Sequence, residues 1–124
     1  MNVFGDLKLN NKESVYLQII RHVKRKILNQ SVVSYTPLPS RRELAAFLSI
    51  NPNTVQKSYK LMEEEGILRT ISNVKSVVYV DEDIMERLQQ EMIQESVDVF
   101  IANCKQCGLP FQKVIAMLSE RWDG

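Results

Sequence analysis

At 124 residues, 44% hydrophobic and 25% charged, the chain is long enough for one globular unit with a modest core and a small appendage, and it holds no apolar run that could span a bilayer. With no basic and apolar segments of a secretory signal in Met1-Asn2-Val3-Phe4-Gly5-Asp6, a cytoplasmic protein without membrane contact is expected, its two cysteines reduced. The net charge of +1 divides unevenly: residues 1–80 carry 12 Lys and Arg against 6 Asp and Glu, a balance of +6, and residues 81–124 carry 4 against 9, a balance of −5, so a part suited to a polyanion such as DNA precedes one that phosphates would repel.

The first element in chain order is a helix over about 14–29, where Tyr16, Ile20, Val23 and Ile27 recur at helical spacing while Arg21, Lys24 and Arg25 take other faces. His22 beside them reads as a surface side chain. Residues 30–39, with Pro37 and Pro39, read as a loop. Ser40 and Glu43 form a capping box that starts a short helix over about 41–48, with Leu44, Phe47 and Leu48 on one side. Asn51 followed by Pro52 starts a second helix, over about 52–65, and Gly66 stops it. Leu68-Arg69-Thr70-Ile71 and Ser76-Val77-Val78-Tyr79-Val80, separated by Ser72-Asn73-Val74-Lys75, are predicted to pair as a β-hairpin. From Asp81-Glu82-Asp83, an acidic start that suits the positive end of a helix dipole, a long helix is predicted to about Cys104. Gly108-Leu109-Pro110 breaks it, and a last helix follows to Trp122. The expected fold is therefore mainly α with a small β-hairpin: a winged helix-turn-helix over 1–80, followed by a helical hairpin over 81–124.

Two short helices a tight turn apart are a common means of placing a helix in the DNA major groove. On the helix after Pro52, steps of 100° put Val55, Tyr59 and Met62 on one stripe and Asn53, Lys57, Lys60 and Glu64 on the opposite one, with Gln56 at the edge. Asn53 and Gln56 can each offer a paired donor and acceptor to a base edge, the match that suits adenine, whereas lysines suit phosphate or guanine. Arg42 projects opposite Leu44, free to reach a phosphate or a guanine. The bland alternative is a solvated face of an ordinary helical domain. Capped helices, a hairpin and a basic half together weigh against it.

Three segments carry a resemblance: Ser14-Val15-Tyr16-Leu17-Gln18-Ile19-Ile20, Leu38-Pro39-Ser40-Arg41-Arg42-Glu43-Leu44-Ala45, and Asn51-Pro52-Asn53-Thr54-Val55-Gln56-Lys57 through Gly66-Ile67-Leu68. Over about residues 10–80 the chain resembles the N-terminal domain of GntR-family bacterial transcription regulators. Its short all-helical tail is similar to that of the YtrA-like subfamily, whose members are dimeric repressors that often control neighbouring transporter genes. The resemblance implies DNA contacts at Arg42, Asn51, Asn53, Thr54, Gln56 and Lys57, with a wing tip from Asn73 to Lys75, and the basic Arg41 and Lys60 are expected to contact DNA beside them. Gln30 stands where a glycine is usual, and Ser34-Tyr35 where a Pro-Gly pair is usual, so that loop must turn without them. A basic residue common at Gln56 is missing, and the wing tip lacks its usual glycines, which favours Lys75 near phosphate over minor-groove reading.

The tail carries Ile84, Leu88, Met92, Phe100 and Cys104 near one stripe, widened by Met85, Ile93, Val97 and Ile101, and then Leu109, Phe111, Val114, Ile115, Leu118 and Trp122. So much apolar surface suits a homodimer, with Ile84, Leu88, Met92, Val97, Phe100, Phe111, Leu118 and Trp122 at the contact, and a dimer matches two DNA half-sites ~34–36 Å apart. A monomer whose tail folds back is the competing arrangement. Cys104 and Cys107 share the spacing of a redox or zinc pair, but zinc wants four ligands, and helix-end cysteines are the simpler reading. No nucleophile-base-orienter set and no Gly-rich phosphate loop is present, so no enzyme, catalytic residue, metal or cofactor is expected. A protein-interaction module, a thiol or metal sensor using Cys104 and Cys107, and control by an unknown small-molecule effector remain open alternatives.

Overall fold

In the computed structural model, which describes residues 3–72 and 75–124, the predicted elements appear in the predicted order. They are α1 (Val15–Leu28), α2 (Arg41–Leu48), α3 (Pro52–Glu64), β1 (Leu68–Ile71), β2 (Lys75–Val78), α4 (Glu82–Gln106) and α5 (Phe111–Trp122). Their boundaries are written by local hydrogen bonds. At the end of α3 the Gly66 N–H donates to Glu63 O and the Ile67 N–H to Met62 O, and Gly66 turns left-handed at φ 84°. The end of α4 repeats this with Gly108, the Leu109 N–H donating to Cys104 O. The end of α1 makes the same closure without glycine: Ser31 N–H donates to Lys26 O, Gln30 N–H to Ile27 O, and Gln30 itself sits at φ 62°. A side chain in this region costs roughly 1 kcal/mol. Gln30→Gly is therefore expected to stabilise the protein by ~1 kcal/mol in urea denaturation, with Gln30→Ala near neutral.

β1 and β2 pair antiparallel with Leu68 opposite Val78 and Ile71 opposite Lys75. The segment before α2, expected as a loop, runs along the other edge of β2. Tyr35 N–H donates to Val78 O, Val78 N–H to Thr36 O and Leu38 N–H to Ser76 O, and Pro37 forms a bridge with Val77. Ser34 Oγ donates to Val80 O at 2.6 Å and accepts the Val80 N–H at 2.8 Å. Three chain segments thus make the wing sheet, and Tyr35 enters it at φ 70°. The prolines hid this pairing from sequence, because Pro37 and Pro39 can offer no N–H to a ladder.

The first compact unit runs from the N-terminus to Leu88. Its core joins Ile19, Val23 and Ile27 of α1, Leu44 of α2, Val55, Tyr59 and Met62 of α3, and Leu68 and Val78 of the sheet. Phe4 and Leu88 are also fully buried in it. Leu88, expected at a surface between two copies, is therefore a core residue, and Ile84 packs partly buried against the same cluster. One turn of helix separates them, so the start of α4 completes the core of the basic part. His22 also departs from expectation. It is half-buried, stacked on Phe4 with ring centroids 5.7 Å apart, and its Nε2 lies 3.0 Å from Val3 O and 3.4 Å from Asp6 Oδ1.

The second unit comprises residues 89–124. Its only buried residue is Cys104, and α5 buries none. Val97, Phe100, Ile101, Leu118 and Trp122 are all exposed, Trp122 at 83%. The two helices leave their apolar faces open instead of closing them on each other.

Candidate nucleic-acid interface

α3 is the helix on which three elements of the first unit pack: α1, α2 and β1. Its start is fixed by Asn51, whose Oδ1 accepts the Asn53 N–H at 2.8 Å, and by Pro52 in the first turn. Val55, Ser58, Tyr59 and Met62 face the core. The Tyr59 hydroxyl donates to Pro39 O at 2.8 Å, and burial holds the phenol well above its ordinary titration range. Ser58 Oγ lies 3.0 Å from Thr54 O and 3.3 Å from Tyr16 O. What remains outward is Asn53, Gln56, Lys57 and Lys60, all exposed, with Thr54 half-buried beside them. The predicted α3 face is therefore one contiguous polar surface.

α2 presents its own edge. Ser40 Oγ accepts the Glu43 N–H and a Glu43 carboxylate oxygen accepts the Ser40 N–H, each at 3.0 Å. The bond from the Ser40 backbone holds the Glu43 carboxyl below the usual carboxylate range. Arg42 in the first turn is exposed. Arg41, grouped with it on sequence, is engaged within the fold: its Nη2 bonds Glu63 Oε1 at 2.8 Å, and its guanidinium lies 5.3 Å from the Tyr59 ring centroid. It clips α2 to α3 and is half-buried, so Arg42 is the better placed of the pair for a phosphate.

Two further contacts were invisible in the sequence. Tyr16, read only as part of the apolar stripe of α1, places its ring 3.9 Å beneath the Lys57 ammonium. Arg69 of β1 lies 3.4 Å over the Tyr79 ring, with Tyr35 edge-on to Tyr79. Neither spacing is a motif, since both pairs are joined by tertiary packing. Lys75 is exposed at the start of β2, while Asn73 lies outside the described residues.

Cys104 is buried and Cys107 exposed, so the pair does not share one environment. Among the described residues no group of three or more His, Cys, Asp or Glu could hold a metal ion. No helix there is long and apolar enough to cross a membrane.

Comparison with known proteins agrees with this geometry. The family model described as bacterial regulatory proteins, gntR family, matches residues 15–78, from the start of α1 to the end of the wing. The HTH-type transcriptional repressor YtrA of Bacillus subtilis is 33% identical over 109 residues, covering 86% of this chain and 82% of that protein. The uncharacterized HTH-type transcriptional regulator YhcF of the same organism is 26% identical over 110 residues, covering 89% and 91%. Among solved structures, a transcriptional regulator from Oenococcus oeni superposes with TM-score 0.79 at 26% identity, over 94% of this chain and 98% of that one. These relatives are transcriptional regulators rather than enzymes. The chain belongs to the GntR family of DNA-binding bacterial regulators, as a YtrA-like member with a winged-helix domain and a short helical tail.

Proposed function

We propose that this protein is a homodimeric, sequence-specific repressor that occludes a promoter of a neighbouring operon, with residues 1–80 binding DNA and the exposed apolar residues of the 81–124 tail, beyond Leu88, holding two copies together. The observation that carries the DNA reading is the outward face of α3, four exposed polar and basic residues on a helix whose start is capped and whose back is locked into the core. Asn53 and Gln56 read base edges, Arg42, Lys60 and Lys75 hold phosphates, and the N–H groups at the starts of α2 and α3 add to the anchoring. The exposed apolar residues of 89–124 support the dimer, because a unit that buries one residue of its own gains its core from a second copy. Repression is favoured by the relative named as a repressor.

Selection from a random duplex pool, then fluorescence anisotropy of the winner and a scrambled duplex across a salt series, tests the reading. A winner with two half-sites, bound far more tightly than the scramble, is expected. Asn53→Ala should relax base preference at a cost of ~1–3 kcal/mol on the winner. Lys60→Ala should weaken both duplexes alike and lower the salt slope by roughly one. Equal, weak and salt-sensitive binding of the unaltered protein to both duplexes would instead favour a basic surface for an acidic protein partner.

A further inference from the structure

Tyr16 stands in the first turn of α1, half-buried, and the Lys57 ammonium rests 3.9 Å from the centroid of its ring. The two backbones behind this contact are themselves joined, since Ser58, next to Lys57, brings its Oγ to 3.3 Å from the Tyr16 carbonyl. A lysine on an open helix face samples many rotamers and forfeits much of that freedom when a ligand immobilises it. Seated on a ring, Lys57 has lost part of that freedom in advance. One side of the ammonium meets the aromatic face, and the donors on its other side remain for an anion.

Resting on the DNA-binding reading above, we infer that Tyr16 is a positioning residue that makes Lys57 a phosphate anchor where α1 meets α3, leaving base reading to Asn53 and Gln56. An ammonium is a compact point charge that attracts a phosphate oxygen whatever base lies beside it. Bidentate reading of adenine needs a donor and an acceptor on one side chain, which Asn53 and Gln56 possess and Lys57 does not. The ring also ties the anchor to α1. The position of the charge is thus set by packing of two helices, and the sequence of α3 alone does not determine it.

The test uses the full chain and anisotropy on the selected duplex, on single-base-pair variants of it and across a salt series. Tyr16→Leu is expected to weaken binding about two- to fivefold on every duplex alike. Tyr16→Phe should retain near-normal binding, because a phenyl face also holds a cation. Lys57→Ala should lower the salt slope by about one without changing base preference, and Tyr16→Leu should add nothing in the Lys57→Ala background. Equal losses from Tyr16→Leu with and without Lys57 would overturn the positioning role, since the ring would then act through folding alone. A base preference altered at one position by Lys57→Ala would overturn the assignment of Lys57 to phosphate. Either result leaves the regulator reading intact so long as the unaltered protein prefers the selected duplex, whereas loss of that preference removes both.

Discussion

A protein carrying Phe100→Glu and Leu118→Glu together should sediment as a monomer and lose about 10²- to 10⁴-fold in affinity for a duplex with two half-sites, while keeping the helical content of the unaltered chain. Both side chains are exposed in a unit that buries only Cys104, so neither substitution empties a core within one copy. In a dimer each would place a carboxylate in an apolar contact, and a desolvated, unpaired charge costs several kcal/mol. Loss of linkage then turns one bivalent encounter into two independent weak ones. Binding to a single half-site should be nearly unchanged. Sedimentation velocity and anisotropy check the two halves of this expectation separately. A double variant that is monomeric yet still binds the full site tightly would remove the need for a dimer, and one that stays dimeric would place the contact elsewhere.

Tyr59→Ala is expected to destabilise the winged-helix unit by about 3–5 kcal/mol, a large share of the stability of a small domain. The ring is fully buried at the centre of α3, its hydroxyl bonds Pro39 O, and Arg41 lies over its face. Truncation empties that volume and removes the surface on which the α2 to α3 clip rests. Tyr59→Phe keeps the volume and should cost only ~1 kcal/mol, the net contribution of one hydrogen bond. Urea denaturation of the two variants beside the unaltered chain separates packing from hydrogen bonding. A loss below ~1 kcal/mol for the alanine variant would show that α3 is held chiefly by its other neighbours.

The helices were legible because their signals are local. Ser40 with Glu43, Asn51 with Pro52, and Gly66 each announce a boundary within four residues, and the structure makes the bonds they imply. The outward face of α3 followed from the same periodicity that buries Val55, Tyr59 and Met62. What sequence did not disclose depends on residues distant along the chain. The cation over Tyr16, the Arg41 clip to Glu63 and the stacking of His22 on Phe4 each join segments whose spacing carries no motif. Leu88 was misplaced for a related reason: a single apolar stripe on α4 serves two purposes, and periodicity cannot tell the first unit's core from a surface left open further along. At Gln30 the resemblance marked the place of a usual glycine, but glutamine rarely adopts the left-handed region, so the closure it makes was recognisable only from its dihedral angle and hydrogen bonds.

The edge pairing of residues 34–38 with β2 bears on how the protein can change over generations. Connections between helices ordinarily accept added or deleted residues at small cost, and related proteins differ most in their lengths there. Here one inserted residue would send Leu38 from the interior to the solvent side and would shift the carbonyls that receive the Val78 and Tyr59 donors. Residues 34–38 are thus closed to insertion, and variation in length must be accommodated outside them.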